Sequence, residues 1–303
     1  MRNSYDYSEP APLRVMHMGM NVTTVVAGVR PQRVRRSPVA GGLGGGLSII
    51  RRGVTRKIMD RKEWKARYQH GLKAGNARSC PSVSEGLSFE DAYDLLLALP
   101  SDDNALLGFK GALTNAASQA SFGLQTPALG LLLASMELGE VIIDSSWFGR
   151  GAIETEIGFT LRESLTCSPN DEDLPRLIAE CFLMVELIDT NFESAPTAAD
   201  LVMNNSAAKH YLKGPQIPLS AVKSASLQFL KDDEPLLNEP EEDRLSPHME
   251  TLHWMIDQAL SLGFSLTADH VWMTGAMGPI HPLKPGRYQY TLGGESSLTF
   301  SVA

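Results

Sequence analysis

The sequence predicts a mixed α+β protein, and three stretches carry that reading. Residues 152–161 alternate apolar and polar side chains with the period of a strand, residues 181–188 form an almost unbroken apolar run, and Val271–Val302 is cut by glycines and prolines into short strand-like pieces. Clear helical spacing follows Ser88 and Ser246. Ser88 and Asp91 form a capping pair ahead of Phe89, Ala92, Leu96 and Leu99, and Pro100 ends that helix.

The remaining elements follow in order. Asp60 opens a charged, amphipathic stretch, and Leu106–Leu133, rich in Gly, Ala, Ser and Thr, suits short strands and functional loops. In Ala152–Leu161 a pleated chain puts Ile153, Thr155, Ile157, Phe159 and Leu161 on one face and both Glu154 and Glu156 on the other. Asp171–Glu180 reads as a polar connection into a short helix, and Lys231–Arg244 as a charged, solvated surface. The helix opened by Ser246 and Pro247 turns Met249, Leu252, Met255, Ile256, Ala259 and Leu262 inward and stops at Gly263.

Charge divides the chain. Its 303 residues carry a net charge of −8, yet residues 1–80 hold 16 basic and 4 acidic side chains, against 11 and 31 in the rest. Residues 1–58, with Pro10, Pro12, Pro31, Pro38, a glycine run at 41–46 and Arg33, Arg35 and Arg36, read as a flexible basic extension, and 59–303 as one domain. The extension fits an organelle-targeting segment, a non-native extension before Met59, or, with less weight, a polyanion-binding arm. The glycine run lacks the Gly-Lys-Ser/Thr ending of a phosphate loop. No apolar stretch is long enough to span a membrane, and the overall acidity argues against a nucleic-acid partner. Cys80, Cys167 and Cys181 have neither CxxC nor zinc-ligand spacing, which points to a reducing, cytoplasmic setting unless the extension directs the chain to an organelle.

Three glutamates carry the chemistry. Glu154 and Glu156 project side by side, which an exposed strand face would explain without any function. Glu186 changes the weighing, because a lone carboxylate inside Phe182–Ile188 is expected to be buried, and a buried charge is costly unless paired or metal-bound. Convergence of the three without nearby Lys or Arg would suit Mg2+ or Mn2+. His210, His248 and His270 stand without recognisable partners and read as surface or structural.

At these residues the chain resembles a known family. Gly108-Phe109-Lys110-Gly111-Ala112-Leu113-Thr114, Phe122-Gly123 with Pro127, Ile153–Phe159, Val185–Asp189, and Met273–Pro279 with Pro285-Gly286 fall in the order seen in the 2-keto-4-pentenoate hydratase and 4-oxalocrotonate decarboxylase group of the fumarylacetoacetate hydrolase superfamily. The resemblance spans roughly residues 85–303 and implies a mixed β-sandwich roll with peripheral helices. It implies one divalent metal on Glu154, Glu156 and Glu186, catalytic roles for Lys110, Thr274 and Asn204, a small 2-keto acid substrate from aromatic-compound catabolism, and a homo-oligomer. Water addition to a 2-hydroxy-2,4-dienoate would give a 4-hydroxy-2-keto acid, with Lys110, its pKa lowered beside a cation, moving the proton.

One departure stands out. Where the family carries Ala-Asp-Asn, this chain reads Met203-Asn204-Asn205, so an acidic residue is missing. Alternatives therefore stay open: a 4-oxalocrotonate-type decarboxylase, an acylpyruvate hydrolase, for which His70 is the sole candidate base before Lys110, and a non-enzymatic or low-activity relative. Glutamates splayed apart, or occupied by a lysine, would favour the last.

Overall fold

Strand and helix alternate along the chain as the sequence pattern requires. The structure is a computed structural model that describes residues 48–51, 54–57, 61–72, 80, 87–139, 142–294 and 296–303. The expectation for residues 1–58 lies outside the described residues, apart from a hairpin of β1 (Ser48–Arg51) and β2 (Val54–Lys57). Helix α1 (Arg61–Leu72) follows, burying Trp64, Tyr68 and Leu72.

Helix α2 (Phe89–Leu96) begins as its sequence demands. The Ser88 side chain accepts from the Asp91 N–H, and the Asp91 carboxylate accepts from the Ser88 N–H, a closed capping box. The helix stops at Leu96, short of the expected Leu99. Next come β3 (Leu106–Ala112), the short α3 (Ala116–Ser121), β4 (Ala128–Leu133), β5 (Glu137–Leu138) and β6 (Ile142–Ile143). Short strands thus fill 106–133.

The long hairpin at the centre pairs β7 (Gly151–Leu161) with β8 (Ile178–Asp189), joined through the one-turn helix α4 (Leu174–Leu177). The connection expected over Asp171–Glu180 therefore ends earlier, since 178–180 already belong to the strand. Beyond it lie α5 (Ala198–Met203), β9 (Ala208–Ile217), α6 (Leu219–Lys223), β10 (Ala225–Lys231), β11 (Glu234–Glu242) and α7 (Leu245–Ser261). The chain closes with β12 (Val271–Ala276), β13 (His281–Pro282), β14 (Gly286–Leu292) and β15 (Ser296–Val302).

Two sheets face each other. The larger runs β4-β3-β12-β7-β8-β9-β5, with β13 paired to β7, and the smaller runs β11-β10-β14-β15-β6. Strands β14 and β15 pack on β8 and β9, burying Tyr288, Tyr290, Leu292 and Phe300 in the core shared with Leu183, Val185 and Leu212. Helix α7 covers β3, β4 and β12 with Leu252, Met255, Ile256 and Ala259, while Met249 and Leu262 are only partly buried. This α+β sandwich of mixed sheets with peripheral helices matches the expected class. No helix among the described residues is long and apolar enough to cross a membrane.

One sequence expectation is corrected here and another narrowed. Lys231–Arg244 is largely a solvated hairpin arm, but Arg244 is buried, donating to the Ala225 and Pro240 carbonyls and pairing with Glu239 and Glu242. Of the two readings of His210, His248 and His270, surface or structural, burial of all three rules out the first and fits the second.

Candidate metal centre

The pairing of β7 with β8 sets the site. Glu154 stands directly opposite Glu186, and Glu156 lies two residues further along the same face of β7, opposite Met184. Directly opposed like charges destabilise a sheet. Yet one carboxylate oxygen from each of Glu154, Glu156 and Glu186 lies within 4.8 Å of the others, with Glu156 and Glu186 buried and Glu154 partly so. Such an all-oxygen set matches a hard divalent cation in donor type and charge.

The other face of β7 has a separate task. Ile153, Ile157 and Phe159 enter the hydrophobic core, and Thr155 is buried beside them. With Glu156 buried and Glu154 partly so on the opposite face, an exposed-face explanation of the two glutamates fails.

Lys110 supplies the balancing charge from β3. Its Nζ lies 2.8 Å from Glu186 Oε1 and 3.1 Å from Oε2, in a buried pair. Gly130 on β4, opposite Lys110 in the ladder, makes room for it: a Cβ there would lie 2.8 Å from Lys110 Cγ and 2.7 Å from Asn205 Oδ1.

The electrostatics follow from crowding four ionisable groups in little water. Burial, and then the Glu186 charge, push Glu154 up to about 8 against the pull of Lys110. Burial, Glu186 and Glu154 push Glu156 well above the usual carboxylate range, although the Gly275 N–H donates to its Oε2 at 2.9 Å. For Lys110, burial lowers the pKa, but Glu186, Glu154 and Glu156 outweigh it, and the net shift is upward.

A cavity of about 380 Å³ opens on this cluster. Lys110, Glu154 and Glu156 line its floor, and Leu113, Phe122, Ile188, Leu201, Pro279 and Ile280 make most of its remaining wall apolar. Leu113 and the run Asn205-Ser206-Ala207 hold left-handed backbone, with φ of 54°, 55°, 50° and 65°. Asn205 locks that run by bonding both polar groups of Leu131: its Oδ1 accepts from the N–H at 2.7 Å and its Nδ2 donates to the carbonyl at 2.8 Å.

Of the six residues singled out by sequence, four converge: Lys110, Glu154, Glu156 and Glu186. Two do not. Asn204 lies at the C-terminal end of α5, fully buried, with Nδ2 donating to the Asp200 carbonyl at 2.8 Å, and it is absent from the cavity wall. Thr274 turns its hydroxyl to His248 on α7, at 2.9 Å from Nδ1, and lines a neighbouring cavity instead. Gly130, Asn205 and Gly275 build the site around the carboxylates; Asn205 and Gly275 lie inside segments the sequence singled out, but their roles in packing and hydrogen bonding were not foreseen, and Gly130 carried no signal of its own.

No protein-family model matches the chain. It is 26% identical over 204 residues to 2-keto-4-pentenoate hydratase 1 of Dechloromonas aromatica (strain RCB), covering 64% of this chain and 76% of that protein. It is also 26% identical over 205 residues to the 2-keto-4-pentenoate hydratase of Paraburkholderia phymatum, covering 65% and 78%. Among solved structures, 4-oxalocrotonate decarboxylase from Pseudomonas putida G7, complexed with magnesium and adipate, superimposes with a TM-score of 0.70 at 20% identity, covering 81% of this chain and 99% of that one. These relatives are named as enzymes, and the match to the solved structure is one of fold. In sequence the chain resembles the 2-keto-4-pentenoate hydratases, and in fold it resembles 4-oxalocrotonate decarboxylase.

Proposed function

We propose that the protein is a divalent-metal-dependent hydro-lyase that adds water to a 2-hydroxy-2,4-dienoate and yields a 4-hydroxy-2-keto acid. The observation that carries this is the convergence of three carboxylates beside Lys110, with Lys110, Glu154 and Glu156 lining a cavity whose remaining wall is mostly apolar. Glu154, Glu156 and Glu186 would hold Mg2+ or Mn2+. When bound, the cation supplies Lewis acidity toward the 2-oxo and carboxylate oxygens of the substrate.

The chain's own residues do the rest. The 2-hydroxyl proton of the dienol is exchanged for one at C5, giving a 2-oxo-3-enoate; water then adds across C3=C4, its oxygen bonding C4, while Lys110, kept charged by its carboxylate neighbours and steadied by Glu186, gives its proton to C3 and regains one from the added water. Leu113, Phe122, Ile188 and Ile280 shelter the hydrocarbon end and limit competing water. Among the described residues Lys110 is the one cationic side chain in that wall, which supports a substrate with a single anionic end over a dicarboxylate, and the hydratase over the decarboxylase. No histidine lines the cavity among the described residues, which weighs against an acylpyruvate hydrolase.

A second reading has its own support. The Lys110–Glu186 pair is the lysine-occupied arrangement that favours a non-enzymatic relative. The open cavity and the retained cluster of three carboxylates weigh on the other side. Assay decides. Purified protein with Mg2+ or Mn2+ consumes 2-hydroxypenta-2,4-dienoate, and Glu156→Ala abolishes that turnover; a metal-replete preparation inert on both this compound and 4-oxalocrotonate refutes the enzyme reading.

A further inference from the structure

A second cavity, of about 310 Å³, adjoins the one over the carboxylates and shares Thr114, Asn115 and Ala276 with it. His248 and Thr274 meet in its wall. Their contact falls where β12 is least supported by its neighbour. The ladder between β12 and β7 loses register between Met273 and Ala276, so regular pairing does not fix Thr274 and Gly275.

Gly275 occupies that gap with φ of 102°, a conformation that side-chain-bearing residues rarely adopt. It also packs closely on Thr114, whose Oγ1 would lie 2.6 Å from any added Cβ. From this position its N–H donates to Glu156 Oε2 at 2.9 Å. A hydrogen bond to a ligating carboxylate selects which oxygen faces a cation and in what direction.

We propose that His248 is a positioning residue for the carboxylate centre: by fixing Thr274 it aims the adjoining Gly275 N–H at Glu156. Met255 and Thr251 of the same helix pack near Gly111, the neighbour of Lys110, so α7 braces β3, which carries Lys110, as well as β12. His248 is 8% exposed and stands beside open volume, so a small planar molecule has room to take the place of its imidazole if the side chain is removed.

This inference rests on the metal-centre reading proposed above. The test titrates Mn2+ into wild-type protein, His248→Ala, His248→Gln, Thr274→Val and the His248→Ala/Thr274→Val double variant, following free Mn2+ by electron paramagnetic resonance. Thermal unfolding of each metal-free protein is recorded alongside. Removing His248 weakens Mn2+ binding about tenfold, the scale expected for a partner of a metal ligand. Thr274→Val does the same, the double variant is no weaker than the weaker single, and added imidazole restores binding to His248→Ala. His248→Gln, which keeps a hydrogen-bonding group, retains most of the affinity and carries the test should His248→Ala fail to fold. Wild-type affinity in both His248→Ala and Thr274→Val, or losses that multiply in the double variant, overturn the inference. Wild-type protein that binds no Mn2+ overturns the metal centre itself and this inference with it.

Discussion

Cation binding at the three carboxylates must displace protons, and the crowding of the site sets how many. Glu154 is raised from 4.5 to about 8 by burial and by the Glu186 charge, and Glu156 is raised well above 4.5 for the same reasons. Below pH 8 the metal-free protein therefore carries a proton on Glu154 that a cation must expel. One expelled proton weakens apparent affinity about tenfold per pH unit, or roughly a hundredfold between about pH 8 and 6, and Glu156 steepens the slope toward two protons. Ordinary exposed carboxylates would give almost no change over that range. Isothermal titration with Mn2+ in buffers of different ionisation enthalpy measures affinity and proton release together. A pH-independent affinity across that range with no proton released would refute the reasoning.

Stability obeys the same linkage. Between 4.5 and about 8 the folded metal-free protein binds more protons than the unfolded chain, so stability falls as pH rises through that window. Lys110, raised from 10.5, adds stability that is present below 10.5 and lost as pH rises through its higher folded value. Saturating Mn2+ opposes the carboxylate effect, so the melting temperature of the loaded protein holds or rises between about pH 6 and 8 while that of the metal-free protein falls.

Further substitutions probe the parts one at a time. Lys110→Met removes the cation that sits 2.8 Å from Glu186, so Mn2+ binds more tightly while turnover falls by about a hundredfold or more; both are read by titration and by dienoate consumption. Gly130→Ala drives a methyl group against Lys110 and Asn205, costing about 1–3 kcal/mol in denaturant unfolding and lowering turnover. Asn205→Ala strips the N–H and carbonyl of Leu131 of their side-chain partners and costs about 2–4 kcal/mol by the same measurement. Deletion of residues 1–58 leaves a cooperatively folding protein, because among the residues whose burial is described the core begins with Trp64 and Tyr68 of α1; a molten circular-dichroism spectrum would contradict this.

Much of the site was legible because strand period is rigid. Alternation over 152–161 put Glu154 and Glu156 on one face, and the apolar setting of Glu186 foretold its burial. What the sequence did not show was the register that puts Glu154 opposite Glu186. The connection between the two strands carries α4, and nothing in its composition counts out the pairing. Nor did it show how Lys110 fits, since the space is made by the missing side chain of Gly130 on the neighbouring strand. The overall sandwich was reached through the order of the motifs. Sheet partners such as β3 and β12 lie far apart in sequence and leave no local trace.

The two residues that fell elsewhere share a cause. Thr274 sits where the β12 ladder slips register, so its side chain cannot be assigned to a face by counting from Met273. Asn204 ends a helix, and its amide satisfies that helix by bonding the Asp200 carbonyl. In both cases local backbone needs overrode the motif. His248 offered a signal that went unused: Leu252, Met255, Ile256 and Ala259 form the buried stripe of α7, and one turn before Leu252 the stripe falls on position 248. A histidine occupying an apolar stripe must satisfy its ring nitrogens indoors, and Thr274 is what it meets. The polar residue out of pattern on α7 and the broken ladder on β12 are therefore two sides of one contact. Glu156 is held at its far end through the Gly275 N–H.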